Sequence, residues 1–162
     1  GLCANAISIT SFPASILLAI EINLKQMLNN KPVIFKEKKI KSIKRFGTVV
    51  TKIFVNKNSG SKSMISGTTL IPKNKSINLH YHNCEEAVFV LKGTALAEIN
   101  KKKYTLKEGE VCWIPAKVPH RFINNKKNNL KIYWTYANVN ATRTDVLTKK
   151  TYKILDEHKK KL

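Results

Sequence analysis

The sequence predicts an all-β protein whose short antiparallel strands form a sandwich or a barrel. Strand-like runs recur along the 162 residues, and turn-prone clusters of Asn, Gly, Ser and Lys separate them, as at 56–61 and 124–129. Many short strands with turn signals between them are typical of these architectures. A chain of this length buries one sizeable core and hardly two. One β domain is therefore expected to hold most of the chain.

We expect strands where Val, Ile, Thr and aromatic residues concentrate. In chain order, the expected strands are 47–56, 63–71, 76–82, 87–91, 94–99, 103–106, 111–114, 121–123 and 131–136. Side chains alternate along a strand, so Trp134 and Tyr136 share one face of the last run. Tyr133 and Thr135 share the other face. One of these pairs is expected to line the interior of the barrel.

Four residues are the candidate metal ligands: His80, His82, Glu86 and His120. In the extended segment 80–82, both imidazoles leave one face, whereas Tyr81 leaves the other. Residues 83–85 suit a turn, and a hairpin through that turn would fold Glu86 back toward the two histidines. His120 follows the strand 111–114, so only tertiary pairing can bring it to the others.

These ligand types restrict the metal. Imidazole and carboxylate without thiolate suit Mn, Fe, Co, Ni or Zn, and four protein ligands in an octahedral field leave two positions for water, substrate or dioxygen. We therefore expect one divalent transition metal per chain, Mn, Fe, Ni or Zn. Because the histidines must be neutral to bind, metal affinity is expected to fall as the pH drops through about 6.5.

The segments that carry these residues resemble the two paired motifs of the cupin superfamily, small antiparallel β-barrels that often hold a metal in the barrel mouth. The first motif spans 74–93 and corresponds to Asn74, His80, His82, Glu86 and Gly93. The second spans 109–124 and corresponds to Gly109, Pro115, Lys117, His120 and Asn124. The resemblance covers about residues 45–137. It implies a jelly-roll (double-stranded β-helix) barrel. A short N-terminal helix before the barrel is a further option.

Asn74 and Lys117 stand where the motifs have glycines. Asn tolerates the left-handed conformation that a turn glycine supplies, so Asn74 fits its place. A lysine in that conformation carries a strain of roughly 1 kcal/mol. We therefore expect the turn before His120 to use another geometry.

The chain ends differ in composition from the barrel. Residues 1–26 contain one lysine, Lys25, and are expected to be an N-terminal extension: either Met27 is the native start, or the first segment is an appended helix. The barrel is expected over 27–143, and a basic C-terminal tail over 144–162. The N-terminal apolar stretch is too short for a membrane span and makes a poor secretory signal.

The net charge of +20 raises the question whether the protein binds nucleic acids or small anions. Only three of the 30 basic residues are arginines, the lysines are scattered, and no nucleic-acid-binding motif accompanies them, so we expect no nucleic-acid partner. The charge can instead steer small anionic substrates to the site. Cys3, Cys84 and Cys112 lack zinc or disulfide spacing, which favours a reducing cytoplasm.

Three residues are candidates for catalysis or substrate binding: Tyr133, Tyr136 and Arg143. Arg143 is the candidate for an anionic group, because a guanidinium binds carboxylate or phosphate through two hydrogen bonds. The cupin resemblance implies a homodimer. It also implies a small metal-dependent enzyme, a dioxygenase, lyase, isomerase or decarboxylase, acting on a small carboxylate or polyhydroxylated substrate.

Two other functions stay open, a non-catalytic module that binds a small molecule or a metal, and a structural barrel with a vestigial site. A dimethylsulfoniopropionate lyase is a minor alternative. The segment 80–82 and the Tyr133-Trp134 pair look similar to cupin lyases of that kind, but the tyrosine expected two residues after the ligand glutamate is Val88.

Overall fold

The computed structural model describes residues 13–18, 32–45 and 47–157. The chain divides into two compact units, residues 1–34 and residues 35–162. In the first unit, the described residues 14–18 are helical (α1). Cys3, Lys25 and Met27, on which some of the expectations rest, lie outside the described residues. Among the residues described, no helix has both the length and the apolar character needed to cross a membrane.

The second unit is built almost entirely of strands. They are β1 (Ile43–Arg45), β2 (Val49–Ile53), β3 (Ile65–Ile71), β4 (Lys75–Ser76), β5 (His80–His82), β6 (Glu86–Lys92), β7 (Thr94–Ile99), β8 (Lys102–Lys107), β9 (Val111–Ile114), β10 (His120–Asn124), β11 (Leu130–Tyr136), β12 (Thr142–Asp145) and β13 (Thr151–Lys153). Two 3-10 turns, Glu37–Lys39 and Lys57–Ser59, and a short helix α2 (Ile154–Glu157) complete it.

The strands form two antiparallel sheets. One has the order β1-β2-β3-β11-β6-β9 and the other β13-β12-β5-β10-β7-β8, with β4 also paired to β10. The fold is thus an antiparallel jelly-roll barrel, which confirms the all-β prediction.

Alternation along the strands decides which side chains fill the barrel. On β11, Leu130, Ile132, Trp134 and Tyr136 are buried while the residues between them are half-exposed. Trp134 and Tyr136 are therefore the aromatic pair that faces the interior. On β6, the same alternation sends Glu86 inward together with two valines. A single acid thus enters the barrel on an otherwise apolar strand face.

The prediction of a hairpin between β5 and β6 is wrong. β5 pairs with β10 and β12 in one sheet, whereas β6 pairs with β9 and β11 in the other. Residues 83–85 therefore cross between the sheets. Glu86 consequently approaches the two histidines from the opposite wall of the barrel.

The expected strand runs all contain strands, although 76–82 is broken into the end of β4 and β5. Strands β1, β12 and β13 were not expected. β12 spans the boundary drawn at residue 143, and it pairs with both β5 and β13. The residues after 143 thus add strands to the sheet that carries His80 and His82.

The turn before His120 keeps the left-handed conformation, so the expectation of another geometry is wrong. Lys117 has φ 65°, and its N–H donates a 2.8 Å hydrogen bond to the carbonyl of His82. This bond ties the turn to β5 and offsets a strain of roughly 1 kcal/mol. Asn74 has φ 57°, as expected for an asparagine at a glycine position.

Candidate metal centre

Three strands bring the four candidate ligands together. His80 and His82 lie on β5, Glu86 begins β6 and His120 begins β10, where it lies opposite His80 in the antiparallel pair. Their potential ligand atoms all lie within 4.8 Å of one another. Each of the four residues is at most 4 % exposed. The sequence spacing thus corresponds to one buried cluster, although the residues come from both sheets.

Backbone carbonyls fix the protonation of all three imidazoles. The Nδ1 atoms of His80, His82 and His120 lie 2.7, 2.8 and 2.8 Å from the carbonyl oxygens of Asn78, Thr142 and Val118, respectively. A carbonyl oxygen only accepts, so each Nδ1 must carry the hydrogen. In a neutral ring, this leaves the Nε2 atom as a lone-pair donor, the form in which histidine binds metals.

The atoms at the centre of the cluster are polar and lack hydrogen bonds. The Nε2 atoms of His82 and His120 and Oε2 of Glu86 are excluded from solvent and accept no hydrogen bond from any described residue. Oε2 of Glu86 lies 2.8 Å from Nε2 of His120 and 3.6 Å from Nε2 of His82. Lone pairs at such distances repel unless a cation lies between them. The donor set therefore fits a metal ion.

Burial sets the charge of the ligands. It lowers the pKa of His82 to about 4, and it holds the pKa of His80 well below the ordinary value, aided by the charge of Arg143. Burial alone would raise the pKa of Glu86, but the contact with His120 and the nearby charges lower it. At neutral pH, His80 and His82 are therefore neutral and Glu86 is ionised, as metal binding requires.

Beside the cluster lies a cavity of about 10 Å³ whose walls include His80, Glu86, Tyr136, Arg143 and Arg45. A cavity of this size holds about one water molecule. The ring of Tyr136 also contacts His82, with 4.3 Å between the ring centroids. The interior beside the cluster is thus nearly closed in this conformation.

Arg143 is buried, with 3 % of its surface exposed. Its Nη2 donates to the carbonyl of Asn78 at 3.3 Å, the same oxygen that bonds the imidazole of His80. Tyr133 lies on the other face of β11, where its hydroxyl donates to Oγ of Ser66 at 2.9 Å. Two of the three candidates for catalysis, Tyr136 and Arg143, therefore line the cavity.

Sequence reasoning missed Arg45, which lines the same cavity from β1. A usable signal was present, because Arg45 is one of only three arginines in a lysine-rich chain. The guanidinium group differs from an ammonium group in geometry and hydration. In a chain whose other basic residues are almost all lysines, an arginine is therefore a candidate for a role that requires a guanidinium.

The barrel and its buried cluster of three histidines and one glutamate define a class of small β-barrel proteins with a candidate metal site inside the barrel. Residues 67–136 match the family described as "Cupin domain". The jelly-roll fold of the barrel agrees with this match to a cupin domain.

A curated relative is an uncharacterized protein of Methanocaldococcus jannaschii, MJ1618. The two sequences are 33 % identical over 64 residues, which are 39 % of this chain and 51 % of the relative. The chain thus spans about half the length of this curated relative.

Several solved structures share the fold. The polyketide cyclase RemF from Streptomyces resistomycificus has a TM-score of 0.63 and 13 % identity, over 76 % of this chain and 86 % of that one. A Thermotoga maritima protein described as a predicted oxalate decarboxylase has a TM-score of 0.60 and 21 % identity, over 65 % and 99 %. The Lactobacillus farciminis oxalate decarboxylase has a TM-score of 0.65 and 16 % identity, over 74 % and 37 %. At such identities, the similarity shows the fold alone.

Proposed function

We propose that the protein is a metal-dependent cupin enzyme that acts on a small anionic molecule. One observation carries the proposal: three imidazoles, each held by a carbonyl at Nδ1, and one carboxylate converge in a buried cluster with ligand atoms within 4.8 Å of one another. Buried polar atoms without hydrogen bonds cost stability, and a bound cation removes that cost.

The proposed metal ligands are His80, His82, Glu86 and His120, and the proposed ion is Mn, Fe, Ni or Zn, one per chain. When bound, such an ion supplies a Lewis acid that polarises an oxygen of the substrate. Arg143 is proposed to orient an anionic group of that substrate, since its guanidinium lines the cavity beside His80 and Glu86. Tyr136 is proposed to hold a proton at its hydroxyl, because its ring contacts His82 and lines the same cavity.

A second candidate function is a non-catalytic metal-binding module. The cavity of about 10 Å³ favours it, because a substrate larger than one water molecule enters only if the enclosing side chains move. The lyase alternative gains no such support, since Val88 is fully buried against neighbouring strands.

Metal analysis of the purified, tag-free protein tests the cluster. We expect about one equivalent of a transition metal per chain after incubation with each ion at neutral pH. His82→Ala should lose it, and His158→Ala, which removes the histidine outside the cluster, should retain it. Equal metal contents in the two variants would overturn the assignment.

Turnover separates the two candidate functions. The metal-loaded protein is incubated with a panel of small carboxylates and polyhydroxylated acids, and substrate loss is followed by chromatography. We expect consumption of one compound, abolished in His82→Ala and reduced by about 100-fold or more in Arg143→Gln. Arg121→Gln is the matched control, because Arg121 lies on the half-exposed face of β10, opposite to the face of His120, and pairs with Glu98 there. Metal binding without any turnover would favour the binding module.

We further propose a homodimer in a reducing cytoplasm. Among the described cysteines, Cys84 and Cys112 are free thiols, and burial raises the pKa of each to about 11. Unreactive thiols of this kind need no oxidising compartment. Sedimentation at micromolar concentration tests the dimer, and a monomer would contradict it.

A further inference from the structure

A second cavity, of about 430 Å³, shares no lining residue with the cavity beside the metal cluster. Its walls come from the segment after β2, the loop before β12, and the C-terminal end of the described chain. None of its lining residues is a candidate metal ligand. Its volume lies within the range of roughly 300–1,000 Å³ that is typical of small-molecule sites. The cavity beside the metal cluster is far smaller.

Hydrogen bonds fix the first wall of this second cavity. Oδ1 of Asn56 accepts from the N–H of Asn58 at 2.7 Å, and the N–H of Asn56 donates to Oγ of Ser59 at 2.9 Å. These two bonds form a capping box around the 3-10 turn Lys57–Ser59. The segment that carries Lys57 is therefore held in place before any ligand arrives.

The opposite wall is fixed as well. The N–H of Asn140 donates to Oδ1 of Asn138 at 2.7 Å, and the N–H of Ile154 donates to the carbonyl of Ala141 at 3.0 Å. The second bond joins the start of α2 to the loop before β12. Rigid walls lower the ordering cost of binding, so this cavity is preorganised for a ligand.

The lining combines an apolar part with cationic groups. Ile53, Val139 and Leu155 contribute apolar surface, and Lys57 and Lys153 contribute ammonium groups. Asp156 adds one carboxylate, so the two ammonium groups outnumber the acidic groups of the lining, and Asn140 adds a polar residue. Apolar surface with a few polar groups is typical of ligand sites, and two ammonium groups favour an anion.

We propose that this second cavity binds a small organic anion, with its apolar body against Ile53, Val139 and Leu155 and its carboxylate or sulfonate between Lys57 and Lys153. This binding uses none of the proposed metal ligands and does not require the proposed enzyme activity. It would serve a ligand too large for the closed barrel interior.

Titration with 8-anilinonaphthalene-1-sulfonate tests the proposal, because this probe joins an apolar body to a sulfonate and fluoresces when bound. We expect saturable binding of about one equivalent per chain to the whole 162-residue chain. The double charge reversal Lys57→Glu/Lys153→Glu should weaken binding and raise the dissociation constant by about tenfold or more. Both lysines are exposed, so the variant should fold, and circular dichroism verifies this.

Two matched controls exclude other causes. Lys126→Glu/Lys127→Glu makes the same change of net charge in the loop after β10 and should leave the affinity unchanged. Trp113→Ser removes the exposed tryptophan of β9, another apolar surface that the probe could choose, and should also leave it unchanged. Equal loss in both lysine pairs, loss in Trp113→Ser alone, or no saturable binding would each overturn the proposal.

Discussion

Glu86 and His120 meet at the centre of the barrel, with Oε2 of the one 2.8 Å from Nε2 of the other, and neither atom is open to solvent. The Nδ1 hydrogen of His120 is held by the carbonyl of Val118, so Nε2 in the neutral ring has no hydrogen to give the carboxylate. The two atoms therefore need positive charge between them, which either a proton on Nε2 or a bound metal ion supplies.

Metal should accordingly stabilise the fold. A ligand that binds only the native state at 100 times its dissociation constant adds about 2.7 kcal/mol to the free energy of unfolding. We expect a rise in melting temperature on the order of 10 °C when the chelator-treated protein receives excess Zn²⁺ or Mn²⁺. Differential scanning calorimetry measures the rise.

The rise should vanish in His120→Ala and persist in His158→Ala. A metal-induced rise of equal size in both variants would contradict the assignment of His120 as a ligand.

The histidines of the cluster should make the metal-free protein acid-sensitive. The pKa of His82 is about 4 in the fold against 6.5 for the exposed group, so the unfolded chain binds more protons between these values. Stability is then fully present above the unfolded value and falls as the pH drops toward 4. The loss from His82 alone is about 3 kcal/mol. Glu86, whose pKa is lowered, adds a loss at still lower pH.

Urea unfolding of the metal-free protein from neutral to mildly acidic pH measures this slope. The variant His82→Gln should show a flatter dependence, whereas His158→Ala should keep that of the wild type. The lowered pKa values of His80 and His82 also shift the expected fall of metal affinity below pH 6.5, since these rings stay neutral to lower pH in the fold. A slope unchanged in His82→Gln would exclude His82 as the titrating group.

The sequence predicted part of the cluster from local spacing, because side chains alternate strictly along a strand. His80 and His82 share a face in any β-strand that contains them. Glu86 and His120 were assigned to the same site because their spacing matches the two motifs. The sheet that holds each strand was less predictable. A turn at 83–85 leads equally well to a hairpin or to a crossing between sheets, and β5 is too short for its pattern to decide.

Other features had no signal in the side chains. The carbonyls that orient the imidazoles belong to Asn78, Thr142 and Val118, and any residue type supplies a carbonyl. β13 is fully exposed along its length, so no apolar alternation marked it. β1 is equally short. Pairing with a neighbouring strand, rather than the composition of the strand, creates such edge elements.

Gly67 should resist any larger residue, because Trp134 packs directly against it. A Cβ at this position would meet the carbonyl oxygen of Lys52 and lie 2.7 and 3.0 Å from ring atoms of Trp134. Backbone cannot yield cheaply in the middle of a sheet. We expect Gly67→Ala to lower the free energy of unfolding by about 2–3 kcal/mol in urea unfolding.

The clash with the ring can be separated from the clash with the backbone. Trp134→Phe shortens the ring and also removes the 2.9 Å hydrogen bond from Nε1 to Oγ1 of Thr69. The losses in the free energy of unfolding of Gly67→Ala and Trp134→Phe, added together, should therefore exceed the loss measured for the double variant Gly67→Ala/Trp134→Phe by about 1 kcal/mol. Strict additivity would mean that the strain lies entirely against Lys52.

Lys117 offers a test of backbone strain beside the cluster. Its φ of 65° is costly for any residue with a Cβ, and the N–H bond to the carbonyl of His82 holds it there. Lys117→Gly removes that strain, at some cost in the entropy of the unfolded chain, and should raise the free energy of unfolding by about 0.5–1 kcal/mol. Lys117→Ala removes the charged side chain but keeps the Cβ, so its stability should stay near that of the wild type. A gain of equal size in both variants would assign the effect to the lysine side chain, and a loss in Lys117→Gly would mean that the turn carries no strain.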